Sequence, residues 1–302
     1  MPRVSVVIPT QGRASLSGAL DSVFRQTEPD FEVIVVDDHS PPGRIAETLG
    51  GRVDPRLRCV TLSGRGGAAA ARNRGISCAT ADYIAFLDDD DEWLPDKLAT
   101  QMRVIDECGP GVGAVYTARL TIDRDSGRTM MTRFPVKFRP GISDNVVTTS
   151  SVLLRRECFE RVGVFDEQLA IGSDYDMWIR IGREYAFHYL DAVLVKYYVH
   201  RDNLSHDYRR QREAFIQLLD KHSDFFALNP EFLARQYAML GTMYLRDAMV
   251  GQALSAFWGG VRCTPRDWKA YARPVRGIAR RLVRAFHRPA DTVARSAPVR
   301  GK

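Results

Sequence analysis

The stretch Tyr83-Ile84-Ala85-Phe86-Leu87-Asp88-Asp89-Asp90-Asp91-Glu92-Trp93 runs from unbroken apolar residues straight into five consecutive acids. An apolar run of this length without polar alternation reads as a strand covered on both faces, the habit of a parallel sheet held between helices. Similar runs stand at residues 4–8, 31–36 and 57–62. Helical signals lie between them: residues 16–26 carry Leu16, Ala19, Leu20, Val23 and Phe24 at a 3.6-residue spacing, and residues 68–79 are rich in alanine. Strand and helix alternating at this interval argue for βαβ units and an α/β fold. In such sheets ligands bind at the carboxyl ends of the strands, so the residues just after each run carry the functional expectation.

The five acids occupy such a position. Crowding like charges destabilises a folded chain, so the cluster calls for a compensating cation. Hard divalent ions, Mg2+ or Mn2+, take carboxylate oxygens and share their shell with phosphates. The competing reading is a solvated acidic turn capping the next helix, with Pro95 in its first turn. Asp37-Asp38 follows the second run, where a carboxylate can accept from a ribose hydroxyl or a base N–H. Gly64-Arg65-Gly66-Gly67 then enters a helix bearing Arg72, Asn73 and Arg74. It matches neither a P-loop nor a dinucleotide fingerprint, and it reads either as a neighbour of phosphate or nucleobase or as a plain strand-to-helix connection.

Taken in order, these pieces resemble the family 2 glycosyltransferases of the GT-A fold over about residues 3–205. The likeness rests on Val4-Ser5-Val6-Val7-Ile8-Pro9-Thr10, on Gln26-Thr27 ahead of Phe31-Glu32-Val33-Ile34-Val35-Val36-Asp37-Asp38-His39-Ser40, on Ala71-Arg72-Asn73-Arg74-Gly75, and on Phe86 to Trp93. Gly163-Val164-Phe165-Asp166-Glu167 and Gly172-Ser173-Asp174-Tyr175-Asp176-Met177-Trp178 continue it. The resemblance implies a Rossmann-like, mostly parallel sheet flanked by helices, and an inverting transfer of a sugar from a nucleotide-sugar donor, UDP-linked by expectation, with Mn2+ or Mg2+. It implies that Pro9, Thr10 and Arg13 line the nucleotide pocket, that Asp38 contacts uracil or ribose, and that Arg72 lies on the nucleotide-side helix. It further implies that Asp88 and Asp89 bind the donor, that Asp90 holds the metal with His200 as a further ligand or a contact to the donor phosphate, and that Asp174 is the catalytic base. In such a reaction an acceptor hydroxyl must lose its proton to a carboxylate as it attacks.

Two departures stand out. The family's Pro-Thr-Tyr-Asn-Arg is here Pro9-Thr10-Gln11-Gly12-Arg13, and its Glu-Asp is Ser173-Asp174. Asp176 is the fallback base, roughly 200° round a helix from Asp174.

The rest of the chain sets bounds. With 302 residues and 45% apolar composition it can bury a large core. Five scattered cysteines lack the paired spacing of a zinc or disulfide framework and read as reduced, mostly buried thiols. The first residues lack a signal h-region, and no run approaches a membrane span, so the expectation is a cytoplasmic protein. The net charge is +6, yet residues 266–302 carry eleven Lys and Arg against two Asp, leaving −3 for residues 1–265. Basicity confined to a tail argues against a nucleic-acid enzyme. Within that tail, residues 275–286 read as a basic amphipathic helix able to lie on an anionic membrane, which would suit a lipid-linked or polysaccharide acceptor of the bacterial envelope; a solvated packing helix is the alternative.

The expected organisation is a GT-A domain over 1–206, a C-terminal helical appendage over 207–288 and a disordered basic tail over 289–302. Two other functions stay open beside sugar transfer to a saccharide or lipid-linked acceptor: a nucleotidyltransferase-like enzyme releasing pyrophosphate, and a degenerate, non-catalytic module that binds sugar nucleotides.

Overall fold

The computed structural model describes residues 1–134, 147–169, 171–200 and 208–267. The chain divides into two compact units, Met1–Lys221 and His222–Lys302. In the first, chain order runs β1 (Val4–Thr10), α1 (Leu16–Phe24), β2 (Phe31–Asp37), α2 (Arg44–Leu49), β3 (Leu57–Thr61), α3 (Gly67–Cys78), β4 (Tyr83–Phe86), β5 (Glu92–Trp93) and α4 (Lys97–Glu107). There follow β6 (Val112–Asp123), β7 (Thr129–Thr132), β8 (Val152–Arg155), α5 (Glu157–Val162), α6 (Ser173–Glu184), β9 (Ala186–Val199) and α7 (Tyr208–Lys221).

The described strands form one sheet in the order β3-β2-β1-β4-β8-β6-β9-β5, with β7 paired to β6. β1, β2, β3 and β4 are mutually parallel, β8 runs against both β4 and β6, and β9 runs with β6. The unbroken apolar runs have their expected cause in β1 and β2, which are buried along their whole length. Val4, Val6 and Ile8 pack with Leu16, Leu20 and Val23 of α1 and Leu98, Met102 and Ile105 of α4, while Val7 faces the layer of Ala71, Phe159, Met177 and Trp178 from α3, α5 and α6. Gly75 lets α3 approach β1: a Cβ there would stand 2.2 Å from Val7 Cγ1.

Three expectations need correction. The third run, β3, lies at the edge of the sheet formed by the described strands, paired only with β2, and is partly exposed along its length. Residues 146–154, whose apolar and β-branched content reads as one strand, do not form one, and Val146 lies outside the described residues. Thr149–Ser151 make a 3-10 turn and only Val152–Arg155 pairs in the sheet, since the hydroxyls turn toward the acids. The cysteines are unpaired as read, yet Cys158 is the buried one, Cys59 is exposed and the others are intermediate. Asp125-Ser126-Gly127, turn-forming residue types, make a turn in which Asp123 Oδ1 accepts the N–H groups of Asp125 and Ser126.

A buried carboxylate ties the parallel strands together. Glu32 on β2 accepts from Ser5 Oγ of β1 at 2.7 Å, from Thr80 N and Oγ1 at 2.8 and 2.7 Å, and pairs with Arg58 of β3 at 2.5 Å. Burial alone would raise its carboxyl, but the Ser5 and Thr80 hydrogen bonds together with Arg58 outweigh that and hold it below the ordinary value. A depressed pKa contributes stability at neutral pH that is lost as pH falls through the acid range. Glu32→Gln should therefore lower unfolding free energy by about 1–3 kcal/mol at pH 7, and its deficit against the parent, measured by urea titration, should shrink toward pH 3.

In the second unit, α8 (Ser223–Leu228), α9 (Pro230–Arg246) and α10 (Val250–Cys263) follow one another, and Ala234, Ala253 and Phe257 form the small core between α9 and α10. Pro230 enters α9 at its first turn, where its missing N–H has no helical partner to lose. The basic segment 275–286 and the tail from 289 on, each given a reading above, lie outside the described residues.

Candidate active site

Strand direction decides what meets at one edge of the sheet. β1, β2 and β4 are parallel, so Thr10, Asp38 and the acid turn beginning at Asp88 all emerge together. β9 runs in the same sense as β4 through two antiparallel steps, which carries its end, and His200, to that edge. β8 runs oppositely, so its entry turn Thr149–Ser151 arrives there as well. α6 ends just before β9 begins at the opposite edge, and a twelve-residue helix of about 18 Å returns its first turn, with Asp174, toward the site edge.

The acids do not act as a block. Asp88 Oδ1 takes Arg72 Nη2 at 2.6 Å, and its Oδ2 accepts from Thr149 Oγ1 at 2.9 Å. Asp89 is buried, accepts from Thr10 Oγ1 at 2.6 Å and pairs with Arg13 at 3.3 Å. Asp90 Oδ2 meets Arg13 Nη1 and His200 Nε2, each at 3.0 Å, across 77 and 110 residues of sequence. Asp91 is fully buried and takes Ser150 Oγ at 2.6 Å and Tyr198 N at 3.0 Å. Glu92 leaves the cluster to pair with Lys196 at 2.9 Å. Burial first, then the neighbouring charges of Asp90 and Asp88, pushes Asp89 up to about 6 against the pull of Thr10 and Arg13. Burial with the charges of Asp88 and Asp90 likewise lifts Asp91 well above the carboxylate range. The helix-capping reading fails: β5 intervenes, and the first turn of α4 holds no acid.

Asp38 has a different setting. Its Oδ1 accepts the N–H groups of Gly66 at 2.6 Å and Gly67 at 3.1 Å, and its Oδ2 accepts Gln11 Nε2 at 2.9 Å. The anion at the N-terminus of α3 is thus the protein's own carboxylate. Arg65 donates in turn to Gln11 Oε1 at 2.7 Å. Pro9 is buried within β1. Gly12 explains one departure in the first loop: its φ is +74°, and a Cβ would stand 2.5 Å from Arg44 Cγ, whose Nε donates to the Gly12 carbonyl at 3.0 Å.

Arg72 is buried, with its guanidinium 5.7 Å from the Phe165 ring centroid as well as on Asp88. Asp174 is partly exposed in the first turn of α6, where its Oδ1 accepts the Tyr175 N–H at 2.8 Å. Asp176 is wholly buried and paired with Arg180 at 2.9 Å and Lys221 at 2.8 Å. Sequence reasoning passed over Thr149, Ser150, Gln11 and the Tyr198 N–H. The hydroxyl run Thr148-Thr149-Ser150-Ser151, improbable inside a buried strand, is the signal that could have found the first two.

The donors at Asp90 suit a hard divalent ion, a carboxylate oxygen and an imidazole nitrogen already 3.0 Å apart. Among the described residues no three His, Cys, Asp or Glu side chains converge to hold an ion by themselves. An ion here would need phosphate oxygens or water to complete its shell, the usual arrangement for Mg2+ and Mn2+ on a nucleotide.

A family model described as Glycosyl transferase family 2 matches residues 5–163. The chain is 34% identical over 193 residues to the amylovoran biosynthesis glycosyltransferase AmsB of Erwinia amylovora, covering 58% of this chain and 62% of that protein. It is 26% identical over 229 residues to a glycosyltransferase of Rickettsia prowazekii, covering 72% of this chain and 70% of the relative. Among solved structures, the mannosyltransferase PcManGT from Pyrobaculum calidifontis in complex with GDP-Man and Mn2+ superposes with a TM-score of 0.62 at 22% identity, over 95% of this chain and 81% of that one. S. aureus TarS 1-349 in complex with UDP-GlcNAc gives 0.58 at 17% identity, over 85% and 90%. Among the described residues no helix is long and apolar enough to cross a membrane.

Proposed function

The chain belongs to family 2 of the glycosyltransferases, and from that premise we propose that it is an inverting enzyme that moves a sugar from a nucleoside-diphosphate donor, UDP-linked, to a hydroxyl of a saccharide or lipid-linked acceptor with a divalent ion bound. The observation that carries the reading is Asp90 Oδ2 with His200 Nε2 at 3.0 Å beside the Thr10–Asp89 pair, ligand-type groups gathered from three separate strand ends. Asp90 and His200 are the residues that would hold the ion. Mn2+ or Mg2+, when bound, supplies the Lewis acidity that stabilises charge on the departing diphosphate.

The chain's own groups do the rest. Asp38, fixed by Gly66 and Gly67, keeps capacity to accept from ribose or base, with the Gln11 amide as the donor most readily replaced. Arg72 holds Asp88 in place from a buried position. Asp174 accepts the proton of the acceptor hydroxyl as its oxygen attacks the anomeric carbon opposite the leaving nucleoside diphosphate. Asp176, enclosed by Arg180 and Lys221, serves as the anchor of α6 and not as the base. The amylovoran relative favours a polysaccharide-type acceptor, and the basic tail favours contact with the inner face of a membrane.

Calorimetric titration of UDP and GDP into the full-length protein tests the donor site. Binding of UDP with Mn2+ and its loss on chelation is the expected result; binding of GDP alone would move the base preference, and binding of neither would favour the degenerate module. Release of pyrophosphate instead of a nucleoside diphosphate from a donor would favour the nucleotidyltransferase.

A further inference from the structure

We propose that Arg13 is a resident counter-cation of the acid turn, seated where the divalent ion enters, and that loading the ion requires its guanidinium to leave Asp89 and Asp90 for the donor's diphosphate. The inference rests on the donor-site reading above and deepens it. One guanidinium nitrogen of Arg13 bridges two carboxylates, at 3.3 Å to Asp89 Oδ1 and 3.0 Å to Asp90 Oδ2. The same Asp90 oxygen receives His200 Nε2 at 3.0 Å. An ion held by that oxygen and that nitrogen would share the oxygen with the guanidinium, and two cations on one carboxylate repel strongly in a site of low dielectric.

The neighbouring cations are built differently. Arg72 is buried, and its guanidinium is held by Asp88 and Thr149 beside the Phe165 ring. Arg124 lies over the Tyr198 ring and donates to the Asp90 carbonyl, leaving the carboxylate to Arg13 and His200. Arg13 is 46% exposed and follows Gly12 in an irregular loop, so its long side chain can swing out while β1 stays fixed. With one nitrogen on both carboxylates, the planar fork itself is unused and suits two phosphate oxygens. Without an ion, Arg13 balances Asp89 and Asp90; with one, that balance is redundant and the freed guanidinium faces an incoming polyanion.

A cation that opposes the ion and a clamp that holds Asp89 and Asp90 in place for it predict opposite signs for the loss of Arg13, which makes the test decisive. Mn2+ binding to the nucleotide-free, full-length protein is read from loss of the free-ion electron paramagnetic resonance signal, for the parent, Arg13→Gln and Arg13→Lys. Arg13→Gln should bind Mn2+ about tenfold tighter than the parent, a factor set by removing one nearby charge, and should bind UDP about tenfold more weakly once saturated with Mn2+. Arg13→Lys, which keeps the charge but loses the fork, should stay within about threefold of the parent for the ion while sharing the loss for UDP. An ion affinity in Arg13→Gln that is unchanged, weaker or undetectable overturns the inference. Because the ion measurement needs no nucleotide, failure of the donor-site reading shows separately, as absence of UDP and GDP binding in the parent.

Discussion

Asp90→Ala should reduce Mn2+-dependent nucleotide binding by on the order of a hundredfold or more and take transferase activity down with it, because the ion loses its carboxylate ligand. The fold should survive. Asp90 is largely enclosed but stands beside Asp88, Asp89 and Asp91, so its removal relieves like-charge repulsion even as Arg13 and His200 lose a partner. Thermal unfolding without metal should therefore move little in the variant, and added Mn2+ with UDP should stabilise the parent alone. Asp90→Asn, which preserves shape and one acceptor oxygen, should fall between the two. Full nucleotide binding by Asp90→Ala would place the donor elsewhere.

The second large effect belongs to Asp174. Asp174→Asn should lower kcat by roughly a thousandfold, within the 10²–10⁴ range of a lost general base, with nucleotide affinity unchanged. Asp176→Asn supplies the contrast two residues away. It strips the charge from a buried group that faces Arg180 and Lys221 together, so its cost should appear as unfolding free energy, about 3–5 kcal/mol, with any activity loss following stability. Should Asp176→Asn fold normally and lose turnover while Asp174→Asn keeps it, the assignment of the base is reversed.

The difference between these two aspartates follows from the shape of α6. The family motif carries both into the same turn, and the neutral Ser173 ahead of them is buried. Asp174 lies on the partly exposed side; Asp176 points inward to Arg180 one turn on and to Lys221 from α7, 45 residues later in sequence. The i,i+4 spacing of Asp176 and Arg180 was readable from the sequence. Lys221 was not, since nothing local links it to α6.

The first loop teaches a similar lesson. Gln11 and Gly12 read as losses against the family pattern, yet in the fold Gln11 joins Arg65 to Asp38 and Gly12 takes a positive φ against Arg44. A substitution compared with a motif shows the contact that is gone; the contact that replaces it comes from another segment.

The sequence by itself determined the α/β class, the parallel strands β1, β2 and β4 and the acids at their carboxyl ends, because burial on two faces and helical periodicity are local patterns that each segment carries in full. Tertiary structure alone decided how five consecutive acids divide: Asp88 to Arg72, Asp89 to Thr10, Asp90 to Arg13 and His200, Asp91 to Ser150 and the Tyr198 N–H, Glu92 to Lys196. Neighbours in sequence share one local environment in any sequence-based reading, whereas charges in a fold are governed by distance and dielectric. Those are set by β1, its following loop and α3, 16 to 79 residues before the acids, and by β8 and β9, which arrive from 59 to 110 residues after them.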